Sequence, residues 1–458
     1  MQQLSVVILA AGKGKRMVSD MPKVLHQVGG QPLLGHVLAT ASSLEAATRV
    51  VVYGYGGEAV KAAFASEAGV VWVDQAEQLG TGHAVAQALP QIEESGVVLV
   101  LYGDVPLTRL ETLQPLVAAA RQGKLALLTV ELADPHGYGR IVRNGAGQVQ
   151  RIVEEKDATP EERSLHEINT GILAVSAAQL RGWVSQLTND NAQGEYYLTD
   201  VIALAVHDGV AVEPFTVTEP AEVLGVNDRR QLAELERFYQ RRQADTLLLG
   251  GVTLLDPARV DLRGTVVAGK DVVVDVNVVF EGVVRLGDRV RIGPFCVLKD
   301  AVIGDDVEIQ SHCRVEGAEV GAGAQIGPFA RLRPDTRLAA GVHIGNFVET
   351  KKTSIGPGSK VNHLTYLGDA EIGAAVNVGA GTITCNYDGA NKHKTIVEDG
   401  AFIGSNSSLV APVRIGKGAT VGAGSSVSRD VPEGGLCLTR PPRKDVANWQ
   451  RPVKPKQS

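Results

Sequence analysis

An aliphatic residue returns every six positions through the second half of this chain. The run Val274, Phe280, Leu286, Ile292, Leu298 is followed by Ile326, Leu332, Leu338, Ile344, and then by Ile403, Leu409, Ile415, Val421, Val427. Glycine repeatedly comes next, as in Leu286-Gly287, Ile303-Gly304 and Ile372-Gly373. A helix would space its apolar residues three and four apart, and a half-buried strand would alternate them in twos. A period of six fits short strands joined by turns, each strand pointing one aliphatic side chain inward. One coil cannot bury its inward face alone, so coils must stack and pair their backbones in parallel. The pattern therefore predicts a hexapeptide β-helix over Val266–Val427, with glycine at corners whose backbone angles a side chain would hinder. A chance scatter of Val-Gly and Ile-Gly pairs would not hold three runs in register.

The chain has 458 residues, more than one core usually supports, so at least two domains are expected. Only 4% of residues are aromatic, which suits a narrow interior filled by Ile, Val and Leu. A formal charge of -6 argues against general nucleic-acid binding, which needs a basic surface. The four cysteines, Cys296, Cys313, Cys385 and Cys437, contain no Cys-x-x-Cys pair, so neither a zinc framework nor a disulfide scaffold is indicated. The apolar run Val6–Ala11 has its cations, Lys13, Lys15 and Arg16, after it, the wrong order for a signal peptide. No apolar stretch is long enough to span a bilayer. The expectation is a cytoplasmic protein with no membrane partner.

The first half has another character. Leu4–Ala11 reads as a buried strand and runs into Gly12-Lys13-Gly14-Lys15-Arg16. Glycines admit a ligand close to the backbone, and successive N–H groups with three cations suit a phosphate. A dinucleotide fingerprint would need a third glycine where Met17 stands, and a P-loop would need Gly-Lys-Ser/Thr. Neither motif is present. Further apolar runs at Val50–Val52, Val70–Val73, Val97–Tyr102 and Ala126–Val130 alternate with helix-length segments, predicting a mainly parallel, Rossmann-like α/β sheet covered on both faces. Ligands of such sheets gather beyond the carboxyl ends of the strands. Two polar clusters fall there: Gln75 to His83, whose amides and hydroxyl can read a base edge, and Tyr102-Gly103-Asp104. Asp104 is either a helix N-cap or a carboxylate for a hard cation. Residues 228–249 lack Gly and Pro and place Leu232, Leu235, Phe238 and Tyr239 on one helical face. The expected organisation is an α/β domain at 1–227, a linker helix at 228–250 and an all-β domain at 251–458. The helix reads equally as the last of the first domain.

The string Leu9-Ala10-Ala11-Gly12-Lys13-Gly14-Lys15-Arg16-Met17 with Pro22-Lys23 resembles the signature of the sugar nucleotidyltransferases. That resemblance implies that Leu9, Ala10, Ala11 and Gly12 line a nucleotide and that Arg16 and Lys23 neutralise its phosphates. It sets Gln75, Gly80 and Thr81 against uracil, with Tyr102 and Gly103 in the same UTP site. It gives Mg²⁺ to Asp104 and Asn227, and places Gly139, Glu154 and Asn169 around the sugar. Chemistry alone does not say which of Glu154 and Glu155 points inward.

In the second half the six-residue register is disturbed at Asn346–Lys352 and Asn362–Tyr366, and Cys385–Lys394 is too polar and turn-rich for a coil. Insertions in a repeat tend to gather on the binding face. With Gly379-Ala380-Gly381-Thr382, these segments resemble the acetyltransferase half of the bacterial bifunctional N-acetylglucosamine-1-phosphate uridyltransferase/glucosamine-1-phosphate N-acetyltransferase family, and the likeness extends over essentially the whole chain. It implies a left-handed β-helix, against the usual right-handed crossover, and a homotrimer. It also implies acetyl transfer from acetyl-CoA to glucosamine 1-phosphate, then uridylyl transfer from UTP to N-acetylglucosamine 1-phosphate. An amine attacking a thioester must shed a proton, and histidine is suited to take it near neutral pH. His363 is the residue matched to that base. Arg333, Lys351, Tyr366 and Asn377 are matched to the amino-sugar phosphate, and Ala380, Asn386, Tyr387, Ser405, Ala423 and Arg440 to the acetyl-CoA side. Cys385 offers a rival acyl-cysteine route, though nothing beside it in sequence suggests a lowered thiol pKa. Two other readings stand beside this one. One is a single-activity nucleotidyltransferase with a structural β-helix; the other is a solenoid hydratase using His312, His343 and His363.

Overall fold

The computed structural model describes residues 2–439 and 442–451. The chain forms two compact units, Met1–Gln240 and Arg241–Ser458. Their division falls inside the helix Arg229–Leu249 rather than at either end of it. The reason is packing. Leu235, in the first half of the helix, is buried with Met17, Val28, Leu33 and Leu107, whereas Ala244 and Leu247 belong to the core of the second unit. Gly251, with φ of 93°, ends the helix: Gly250 and Gly251 donate back to the carbonyls of Thr246 and Leu248.

The first unit is built on nine strands: β1 Leu4–Ala10, β2 Thr48–Tyr53, β3 Val70–Asp74, β4 Val97–Tyr102, β5 Leu125–Glu131, β6 Arg140–Arg143, β7 Val149–Val153, β8 Glu167–Ser176 and β9 Val212–Val217. Seven of them run in the order β9-β5-β8-β4-β1-β2-β3, and the β6–β7 hairpin attaches through β8. All neighbours along the row are parallel except β8, which is antiparallel to both β4 and β5. Every residue of β1 is buried, as a strand covered on both faces must be. Val6 and Ile8 pack with helices Leu33–Ser43 and Leu110–Arg121; Val7 and Leu9 pack with Thr81–Ala88, Ala177–Val184 and Val201–His207. Leu9 pairs with Tyr102, so the carboxyl ends of β1 and β4 open side by side.

The second unit is a parallel β-helix of strands mostly two or three residues long. Val273 pairs with Arg291, eighteen positions on, and Arg291 with Glu308, seventeen on, so one coil consumes three hexapeptides or one residue fewer. Val274, Phe280, Leu286, Ile292 and Leu298 are all buried in one continuous core, as are the later runs. Two sequence expectations need correction. At most corners the glycine after the aliphatic residue does not take a left-handed conformation, Gly327 with φ of 102° being an exception: a Cβ on Gly304 would stand 2.8 Å from the Ala322 nitrogen of the next coil, so close approach of backbones excludes the side chain there. Positive φ falls two residues later, at Arg289, Asp306 and Gly323. Nor does Asn346–Lys352 leave the coil, since Gln325 pairs with His343 and Glu349 with Tyr366 at ordinary spacing. The true insertion is between Cys385 and Thr395. Asn377 pairs with Phe402 twenty-five positions on, and residues 386–394 form an excursion closed by a Tyr387–Lys392 bridge.

Candidate active sites

In the first unit a cavity of about 320 Å³ opens at the carboxyl ends of β1 and β4. Leu9, Ala10, Ala11, Gly12, Lys23, Gln75, Gly80, Thr81, Tyr102 and Asp104 line it, as do Lys13, Gln78 and Glu195. A Cβ on Gly12 would meet no protein atom within 4 Å, so the protein itself does not require glycine there and the space above it is left for a ligand. Gly80 is required twice over, by φ of 108° and by the Tyr196 carbonyl 2.6 Å from where its Cβ would be. Gln75 is buried and its amide nitrogen is used by the Gly80 carbonyl (3.1 Å) and His83 Nδ1 (3.0 Å). Its side-chain oxygen is thus left for another partner. The Thr81 hydroxyl accepts the Leu198 N–H at 3.1 Å, anchoring the helix start. Gly103 donates its N–H to the Leu9 carbonyl at 2.9 Å, tying the two strand ends together.

Asp104 and Asn227 turn their oxygens toward one point. The Lys23 ammonium occupies it, in an ion pair with Asp104 and 3.3 Å from Asn227 Oδ1. A carboxylate and an amide oxygen converging on a cation form a hard-ligand set, and a Mg²⁺ taking its remaining ligands from phosphates and water fits it. Arg16 does not line this cavity. It lies with Gly137, Tyr138 and Asn227 on a neighbouring cleft of about 540 Å³, so the Lys23–Asp104–Asn227 cluster reaches both spaces.

Gly139, Glu154 and Asn169 come together from the β6–β7 hairpin and β8. Asn169 donates its N–H to the Gly139 carbonyl (2.8 Å), and a Cβ on Gly139 would stand 3.4 Å from both Glu154 carboxylate oxygens. The structure separates the two neighbouring acids. Glu155 is ion-paired with buried Arg140 at 2.7 Å, while Glu154 accepts from the Thr199 hydroxyl at 3.1 Å. Burial first, then the charges of Asp200 and Asp157, raises the Glu154 pKa against the opposing Thr199 bond. Tyr102 rests on Gly171, which has φ of 84° and no room for a Cβ. Burial raises the Tyr102 phenol pKa, with Glu154 and Asp104 adding to it.

In the second unit six of the matched residues, His363, Ala380, Ser405 and Ala423 with Arg333 and Lys351, fall on two rows. Leu364 donates to the Asn346 carbonyl, Gly381 to His363, Asn406 to Ala380 and Gly424 to Ser405. Asn346, His363, Ala380, Ser405 and Ala423 therefore hold the same corner position in five successive coils. Asn377 precedes this corner by three residues, on strand Asn377–Val378. On the next face Arg333 and Lys351 occupy one row of adjacent coils, and Arg333 pairs with Glu349 at 2.8 Å. The insertion brings Lys392 against Lys351; that ammonium, then the Arg333 guanidinium, lowers the Lys351 pKa. Three gathered cations, one of them paired with Glu349, suit an anion. The Tyr366 hydroxyl and the Asn386 amide both crowd Gly368, and Asn386 Nδ2 donates to Asp369 at 2.5 Å. Tyr387 is exposed and its hydroxyl donates to the Gly389 carbonyl within the excursion. His312 is stacked between Phe295 and Phe329, centroids 4.9 and 4.7 Å away, as part of a ring ladder. Arg440 lies outside the described residues. Sequence reading missed Glu195, Asn346, Lys392 and Asp369. Asn346, one coil before His363, and Lys392, inside the polar segment Cys385–Lys394, carried a signal that could have found them.

Residues 6–248 match the model of a MobA-like NTP transferase domain, 262–368 that of a GMPPB C-terminal domain, and 394–429 that of the hexapeptide repeat of succinyl-transferase. Fold and sites together define a two-site transferase, a nucleotidyltransferase domain followed by a hexapeptide-repeat acyltransferase domain. The Bifunctional protein GlmU of Marinobacter nauticus is 58% identical over 99% of this chain and 100% of its own length. Those of Methylococcus capsulatus and Alkalilimnicola ehrlichii are 58% and 59% identical, over 99% and 98% of this chain and 98% and 97% of theirs. The chain belongs to the GlmU family of bifunctional proteins.

Proposed function

We propose that the chain makes UDP-N-acetylglucosamine in two steps, acetylating glucosamine 1-phosphate in the second unit and joining the product to UTP in the first. The observation that supports it best is the pairing of two unlike constellations, each in its own compact unit. One has cations and an oxygen pair at the mouth of an α/β sheet; the other has a histidine beside an anion site on a β-helix. Homotrimers with sites completed between copies, and a cytoplasmic location, are part of this reading. It is supported by the exposure of His363 on an open corner and by four free thiols.

For uridylyl transfer no protein base is needed. A sugar phosphate has its second pKa near ~6 and is already a dianionic nucleophile at neutral pH. Lys23 and Arg16 neutralise the triphosphate, Gln75 and the Gly80–Thr81 turn hold the uracil, and Gly139, Glu154 and Asn169 orient the sugar. Mg²⁺, held by Asp104 and Asn227, supplies charge stabilisation on the phosphates when bound. For acetyl transfer, Arg333 and Lys351 hold the phosphate, with Tyr366 and Asn377 on the sugar. The amine attacks the thioester carbonyl, His363 takes the amine proton, and the C–S bond to CoA breaks. Asn386, Tyr387, Ala380, Ser405 and Ala423 flank the acetyl-CoA, with Arg440 assigned to it from sequence alone.

Two assays on the full chain test this. Asp104→Ala should abolish pyrophosphate release from UTP and N-acetylglucosamine 1-phosphate while leaving acetyl transfer intact. His363→Ala should do the reverse, read as free thiol released from acetyl-CoA. A wild-type protein that never consumes acetyl-CoA with glucosamine 1-phosphate would leave only a nucleotidyltransferase on a structural β-helix.

A further inference from the structure

We infer that Asn346 is a positioning residue for acetyl transfer, holding His363 in the tautomer whose Nε2 carries the free lone pair. The inference rests on the reading of His363 as the base. Asn346 and His363 are register partners on neighbouring parallel strands. Side chains at such positions stand directly over one another, about 4.8 Å apart along the ladder. The coil repeat thus brings the two side chains within reach of one another. The Asn346 side-chain oxygen lies 2.7 Å from His363 Nδ1, and no other side chain hydrogen-bonds that imidazole among the described residues. Both residues are held by their backbones: Leu364 donates to the Asn346 carbonyl, and Gly381 to that of His363.

An amide oxygen has lone pairs only, and a neutral imidazole has one N–H. A contact through that oxygen therefore places the proton on Nδ1 and leaves Nε2 as the base. A carboxylate at position 346 would impose the same tautomer, but its charge would favour the imidazolium and raise the pH at which the base is free. Asparagine orients the ring without adding that charge. The neighbouring coil position on the other side is Ala380, too small to obstruct a ligand approaching Nε2.

The test uses the full-length chain labelled with ¹⁵N-histidine, His363 being assigned by its loss in His363→Gln. The neutral wild-type ring should show a protonated Nδ1 and a bare Nε2. Asn346→Ala should lose that bias and lower kcat for acetyl transfer by about 10- to 100-fold, as partners that orient a functional histidine typically do. KM for glucosamine 1-phosphate, uridylyl transfer and the melting temperature should stay near wild type. Asn346→Asp should keep the tautomer and move the acid limb of the acetyl-transfer pH profile upward. A wild-type ring protonated on Nε2, or an Asn346→Ala protein with unchanged tautomer and kcat, would overturn the inference. Acetyl transfer surviving in His363→Ala would overturn it differently, by removing the base itself whatever the tautomer.

Discussion

At the scale of single residues, Glu154 and Glu155 show how little adjacency decides. One is consumed by buried Arg140 and the other is left near the Gly139 turn with its pKa raised, chiefly by burial. A carboxyl whose folded pKa lies above its unfolded value contributes most below the ordinary carboxylate pKa. That contribution is lost as pH rises through the range from about 4 to the raised value. Glu154→Gln should therefore flatten this part of the pH dependence of stability, read by thermal melts across that range, while lowering kcat/KM for N-acetylglucosamine 1-phosphate by about 10- to 100-fold, the worth of one hydrogen bond to a charged group. Cys385 lies on strand Ile383–Cys385 and is only half-buried. If the acetyl group passes directly to the amine, Cys385→Ser keeps most acetyl transfer; complete loss with a trapped acyl-enzyme would establish the covalent route.

At the scale of elements, the β-helix corner has two kinds of glycine that sequence alone does not distinguish. Gly304 faces the backbone of the next coil, whereas Gly323 has φ of 68° and nothing within 4 Å of a built Cβ. Gly304→Val should cost about 1–3 kcal/mol through overpacking. Gly323→Asn should cost much less, since asparagine tolerates left-handed angles and Asp306 already holds them one coil earlier. Melting curves of the two variants, with uridylyl transfer as an internal control, separate the cases.

At the scale of the whole molecule, the long helix serves both units. A fragment ending at residue 228 discards Leu235 and its partners Leu232, Phe238 and Tyr239 from the cluster around Met17 and Leu33. Full burial of a side chain such as Leu235 is worth about 1.5–3 kcal/mol, and the partly buried Leu232, Phe238 and Tyr239 add less each. That fragment should melt well below one ending at residue 250 and lose uridylyl transfer, which the longer fragment should keep. Equal stability of the two would show that the helix is only a connector.

The solenoid, the parallel sheet and the glycine loop were legible in the sequence, because inward-facing positions recur at a period set by local backbone geometry. That Leu9 to Gly12 would form one wall of a cavity was legible, since consecutive residues at a strand end stay together wherever the rest of the chain goes; Gln75 and Asp104 join them there from other strand ends. What only tertiary structure decided is which distant groups meet: Lys23 with Asp104 and Asn227, Lys392 with Lys351, Asn346 with His363. Those meetings depend on the length of a coil, on the seven residues added between Cys385 and Thr395, and on which strand ends lie side by side. None of these is a property of any one stretch of sequence.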